Sequence, residues 1–246
     1  DARRIDNTSG AMRADETLIL TGSGPATGSG PAWLDNSGGL ISSAQRLQIL
    51  DPNAVPGGNA GSKKLAVTNT GGTLIAGEQL TVDVAGLTGD GTVLSQGDLA
   101  IKLLGDFTQS GRVAANGSAT LEATGAFSNR ARIAAGDRLS VQAASIDNAA
   151  SGEIVGGTVG LAAAGALTNR GVIDGQETLV DAPTVNNLGS GRIYGDHVAI
   201  VASTLNNAAE TVAGATQAPV IAARTRLDIG ATTLDEYRKH LEKDAA

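Results

Sequence analysis

The chain has 246 residues, a formal charge of −7 and a pI near 4.8, with 34 glycines, five aromatic residues and no cysteine. An acidic chain whose Lys and Arg form no stripe is excluded as a sequence-independent nucleic-acid binder, because that role needs a basic face to displace counterions from phosphate. So few large rings do not fill an ordinary compact core of this length, and a narrow interior filled in layers by aliphatic and small side chains is expected instead.

The first apolar opening lies near Ile5 and the next at Leu34. Between them runs GSGPATGSGPAW, and its Gly, Pro and Ser content predicts a protruding loop at 22–33, since these residues do not continue a strand ladder. Trp33, the only tryptophan, stands at the end of that loop. It is a candidate contact residue, the alternative being that it packs the loop onto the body. A second insertion of the same kind, DPNAVPGGNAGSKK at 51–64, precedes the opening at Val67. Loops on a rigid scaffold are where binding usually resides.

From Leu87 the chain repeats itself, with openings at Leu87, Phe107, Phe127, Ile146, Leu167, Val185 and Leu205, separated by 20, 20, 19, 21, 18 and 20 residues. A period near twenty predicts a solenoid whose units bury their apolar faces against each other. In the block that opens at Phe127, a second apolar position falls at Ile133, and Leu139, Val141 and Ala143 then alternate with Ser140 and Gln142. That alternation is the period of a strand with one buried face. The second position recurs as Leu74, Val93, Val113, Ile154, Ile173 and Ile193; the alternating group recurs at Leu80, Leu99, Ala119, Val159 and Val198.

Three short strands per block, with glycine or polar corners, predict an all-β fold, a parallel β-helix over residues 1–231. A leucine-rich repeat of similar length would place its asparagine six positions into an LxxLxL core; here it comes two after the opening. Ten blocks stacked about 4.8 Å apart give a rod roughly 45–50 Å long.

The asparagines keep a fixed phase. Asn7, Asn36, Asn69, Asn129, Asn148, Asn169, Asn187 and Asn207 each follow an apolar residue by two positions. Asparagine tolerates the left-handed backbone of a sharp corner, and amides stacked in register hydrogen-bond from rung to rung as a ladder. Gly89 and Gln109 stand at the equivalent site of two blocks; glycine suits a corner, and glutamine is expected to extend the ladder.

The last segment, TTLDEYRKHLEKDAA at 232–246, turns to charged helix formers, with capping-box spacing at Thr233 and Glu236 and one apolar face of Leu234, Tyr237 and Leu241. It reads as a charged helical tail or as a cap that blunts the last strand edge. No apolar run approaches the roughly 20 residues that span a bilayer, so membrane insertion is not expected. Asp1 begins no signal peptide, and the chain reads as an internal piece of a longer one. The absent cysteine fits either a cytosolic protein or one exported unfolded through a narrow pore.

No catalytic, metal or cofactor site is expected. Asp83, Asp90, Asp98, Asp106, Asp137, Asp174 and Asp181 occupy varying rung positions, and Asp196 and His197 are strand neighbours that point to opposite faces, away from a triad with Ser203. GDG at Gly89 to Gly91 is a single calcium-like turn without a nine-residue period, and GSGPATGSG lacks dinucleotide-fingerprint spacing.

The blocks FSNRARIAAGDRLSVQAAS and LTNRGVIDGQETLV, with VIAARTRLDIGA from Val220 to Ala231, resemble the filamentous haemagglutinin repeats of two-partner secretion exoproteins. That group includes adhesins and the stalks of contact-dependent growth inhibition effectors. The resemblance implies a right-handed parallel β-helix, exported through an outer-membrane transporter of a Gram-negative bacterium and displayed or released as a fibre. Its implied partners are that transporter and a receptor or glycan on a host or neighbouring cell. Three roles remain open at this point: an adhesive rod segment, a receptor-contacting stalk of a growth-inhibition toxin, and a carbohydrate-active β-helix enzyme.

Overall fold

The computed structural model describes residues 3–22, 32–54 and 60–230. The middle of each expected insertion, and the expected tail or cap at 232–246, lie outside the described residues.

The described chain is a parallel β-helix of ten rungs. Each rung opens with a short strand whose central apolar residue points inward, as in Arg4–Asp6 and Ala126–Asn129. These openings stack in register as Ile5, Leu34, Val67 and Leu87, and then as Phe107, Phe127, Ile146, Leu167, Val185 and Leu205. The second strands align Met12, Ile41, Leu74, Val93, Val113, Ile133, Ile154, Ile173, Ile193 and Ile221. The third strands supply two more inward columns, one of which runs Leu20, Ile49, Val82, Ile101, Leu121, Val141, Leu161, Val180, Ile200 and Ile229.

Period-two alternation is what makes this work, because each strand turns every second side chain into a core only one rung wide. The interior is correspondingly narrow. Phe107 and Phe127 stack within it, ring centroids 5.6 Å apart and tilted by 39°. Among the core positions that depart from the apolar rule is Thr178, which is fully buried and donates its hydroxyl to the carbonyl of Tyr194 at 2.6 Å.

The expectation of three strands per rung holds for the first six rungs and changes in the last four. There the second and third strands fuse into single runs, Glu153–Ala163, Val172–Asp181, Arg192–Val201 and Val220–Gly230. Gly156, Gly175 and Gly195 lie where the first three of these bend, and the partners Gly156 and Gly175 carry the ladder through the corner.

The N-terminal third, irregular in sequence, is regular in space. Rungs opening at Ile5, Leu34 and Val67 stack in the same register as the rest, and the extra length leaves the stack at one corner, between third strand and next opening. The two insertions therefore emerge from consecutive rungs on the same edge: one between Thr21 and Ala32, the other between Leu50 and Leu65.

A fully buried aliphatic side chain contributes about 1.5–3 kcal/mol, and the backbone entropy of ordering a rung opposes a similar total. One rung alone is therefore unstable, and neighbours supply the surplus. Leu161 is 1 % exposed between Val141 and Val180. Leu161→Asp buries an unpaired carboxylate there and should cost more than about 4 kcal/mol. Thermal unfolding followed by circular dichroism checks this, and an unchanged midpoint contradicts the assigned inward position.

Candidate functional site

The corner after each opening strand carries the asparagines. Asn7 donates Nδ2 to Oδ1 of Asn36 at 2.7 Å, and Asn36 to Asn69 at 2.8 Å. Above a break, Asn129, Asn148, Asn169 and Asn187 each donate to the next amide, ending on Asn207, at 2.7–2.8 Å. The second Nδ2 proton goes to a backbone carbonyl of the following rung, for example Asn36 to Thr73 at 3.2 Å and Asn148 to Val172 at 3.2 Å. Both donors of every amide that has another above it are thus used, which removes the desolvation penalty of a polar group in the interior.

Two expectations about this corner are corrected. The asparagines are not left-handed: among the described residues the only non-glycine positive φ values are at Ser9 and Ala213. The chain stays extended through the asparagine, which keeps its side chain inward, and turns two residues later at Ser9, Gly38, Gly71 and Gly189. Gln109 does not extend the ladder either. Its extra methylene takes the amide out of step with Asn129, and Nε2 donates instead to the carbonyl of Gly111 at 2.8 Å.

Sequence reasoning missed a glycine column that makes the ladder close. Gly39, Gly72, Gly91, Gly111, Gly171 and Gly191 each stand two positions before the inward residue of the second strand. A Cβ at Gly39 or Gly72 would overlap the carbonyl oxygen of the asparagine one rung below. The signal was available as a constant spacing from the second apolar group.

The second insertion has a built base. Asp51, 1 % exposed, accepts from the backbone N–H of Asn53 at 2.8 Å, of Lys64 at 2.5 Å and of Leu65 at 2.6 Å, and from Nδ2 of Asn53 at 3.2 Å. One carboxylate therefore ties the two ends of the loop together and satisfies four donors. Asn53 adds a bond to the carbonyl of Ser62 at 3.1 Å. Lys63, its side chain 8 % exposed, forms an ion pair with Asp83. The Asp51 signal lay in the Asp-Pro-Asn start of the insertion, an Asx-turn sequence. Beside this base a groove of about 610 Å³ crosses the rungs, lined by Ala54, Lys63, Asp83, Lys102, Glu122 and Gln142 among others.

Trp33 is not part of the first insertion. It belongs to the strand Ala32–Asp35, in register with Arg4 and Ala66, and faces outward, 48 % exposed. The Arg4 guanidinium lies over the indole, 5.5 Å from the ring centroid. The tryptophan thus presents one half of a cation–π pair on the lateral face beside the loop exit.

A third projection was not foreseen. Between the opening and second strands of the last rung, Glu210–Val212 and Ala215–Gln217 form an antiparallel hairpin, turning at Ala213 and Gly214, both with positive φ. Glu210 is held by a two-pronged bond from Arg170, 2.8 Å on each arm. That bond keeps the Glu210 carboxyl below the ordinary glutamate range and pushes the Arg170 guanidinium further up. Val212 at the tip is 68 % exposed.

The acids are dispersed, and those with a tight partner serve the scaffold. Asp196 accepts from Arg224 at 2.6 Å, Asp90 from the amide of Gly71 at 2.9 Å, and Asp98 from that of Ser118 at 2.8 Å. Among the described residues no group of three His, Asp or Glu side chains converges as metal ligands do, and no helix is long and apolar enough to cross a membrane.

A family model described as haemagglutinin repeat matches residues 1–50, 57–111 and 79–180. No curated protein and no solved structure matches the chain.

Removing the Asn148 side chain leaves the Asn129 proton, the Asn169 oxygen and the Val172 carbonyl without their partner. Asn148→Ala should therefore lower stability by about 3 kcal/mol or more; chemical denaturation measures it, and a loss within the noise denies the ladder an energetic role. Asp51→Ala frees the amides of Lys64 and Leu65. It should cost about 3 kcal/mol and speed cleavage of the 51–64 loop by protease, with hydrogen exchange at Leu65 rising in parallel.

Proposed function

We propose, from the premise that this chain belongs to the haemagglutinin repeat family, that it is a structural and adhesive rod segment of a large secreted bacterial surface protein. The supporting observation is that ten rungs stack without a break in the second-strand ladder while extra chain leaves only at corners. Such a body spaces and holds its projections instead of folding around a substrate. In this reading the contact elements are the insertion clamped by Asp51, the lateral face that carries Trp33, and the hairpin anchored by Arg170. The partner is a receptor or glycan on a host or neighbouring cell, and the parent chain leaves the cell through an outer-membrane transporter.

Absence of cysteine suits that route, since no cross-linked loop obstructs passage of an unfolded chain. Folding then proceeds by rung addition on the outside, driven by local stacking. The reading assigns no catalysis to the segment. Its support is that Asp51, Asp83 and Asp196 are each engaged in holding a loop or neighbouring strand.

The test is binding of the purified chain to intact cells, compared with a variant in which residues 52–63 are replaced by two glycines. The wild-type chain should bind saturably, and the variant should bind at least tenfold more weakly with an unchanged circular dichroism spectrum. Equal binding removes the insertion from the contact surface, and no binding by either protein overturns the adhesive role.

A further inference from the structure

At one level of the stack two regularities fail together. The opening-strand sheet that starts at Arg4–Asp6 ends at Gly86–Thr88, and a separate sheet begins one rung later at Phe107–Gln109. The amide ladder stops at the same place. Gly89 occupies the corner with φ +104°, and a Cβ there would lie 2.6 Å from the backbone carbon of Asn69 and the backbone nitrogen of Thr70. No side chain fits, so no amide stands above Asn69. Asn69 gives one Nδ2 proton to the carbonyl of Thr92 at 3.2 Å, and the proton that every other interior ladder member spends on the next amide has no amide to meet.

One rung further on, Gln109 is 2 % exposed and its Nε2 is bonded to Gly111, but its Oε1 is buried with no hydrogen-bond partner among the described residues. Asn69, Gly89, Gly91, Phe107, Gln109 and Gly111 surround a cavity of about 20 Å³ between these levels.

We infer that this cavity is a specific internal hydration site, holding one water molecule that accepts from Nδ2 of Asn69 and donates to Oε1 of Gln109. The volume suits a single water, for which about 10–15 Å³ suffices. The chemistry selects water over other small occupants. One wall offers an N–H and needs an acceptor; the other offers a carbonyl oxygen and needs a donor. A cation is repelled by the amide proton, an anion by the carbonyl oxygen, and an apolar occupant satisfies neither. Water does both, and so carries the ladder across the level where glycine has removed the amide. The site also accounts for glutamine at 109, whose longer side chain serves the cavity and not the rung above.

Two measurements on the whole chain decide the matter. A crystal structure at high resolution should show one ordered water within hydrogen-bond distance of both Asn69 Nδ2 and Gln109 Oε1. Oxygen-17 magnetic relaxation dispersion should show one fewer long-lived water in Gln109→Met, which keeps the volume and removes the carbonyl. An empty cavity in the density, or a glutamine turned to bond directly with Asn69 or Asn129, overturns the site, as does a dispersion amplitude equal in the two proteins. Should the methionine variant not fold, the wild-type density decides alone. None of these outcomes bears on cell binding, so the hydration site and the adhesive role stand or fall separately.

Discussion

A carboxamide buried at a corner must place two protons and an oxygen, and a solenoid offers it partners only directly above and below. That requirement governs the rest of this molecule. Each asparagine with an amide above it spends one proton on that amide and one on the next rung's backbone, so adjacent rungs are held in a single register. A slip by one residue would turn the inward columns outward and would also orphan the amides. The glycine column is subordinate to this corner, since a side chain at Gly39, Gly72, Gly91 or Gly191 would meet the carbonyl of the asparagine below.

The same constraint explains where extra chain leaves the rod. The two N-terminal insertions depart from the corner between third strand and next opening, away from the ladder. Among the described rungs, the long departure at the ladder corner is the hairpin after Asn207, in the last of them. There, among the described residues, no further amide depends on a tight passage from asparagine to second strand. Projections are thus placed where they do not interrupt stacking, and two of the three are fastened at the base by a charged side chain: Asp51 for the second insertion and Arg170 with Glu210 for the hairpin. The exposed ion pairs along the rungs, Lys102 with Glu122 and Arg132 with Glu153, add little by comparison.

Most of the fold is legible from Leu87 onward because periodicity reports directly which side chains point inward. The phase of the asparagines gives the ladder for the same reason. What stays hidden are features that depend on geometry between rungs. Trp33 follows a run of Gly, Pro and Ser and looks like loop, yet pairing with Arg4 and Ala66 makes it strand. Gln109 looks like a conservative replacement for asparagine, and only the length of its side chain against a fixed rung spacing shows that it is not. The fused strands of the last rungs are invisible because the same residues suit a strand whether or not the corner is bridged. Insertions hide the regularity of the first rungs by stretching the repeat in sequence while leaving it intact in space.

The amides all donate in one direction, from Asn7 towards Asn207. Among the described residues the ladder consequently has chemically unlike ends, a carbonyl oxygen facing one way and amide hydrogens facing the other. Whatever is laid against the Asn207 level must bring an acceptor, and whatever meets the Asn7 level must bring a donor. The molecule is vectorial in its bonding, as a zipper is, and each completed turn is a template that admits its successor in one orientation.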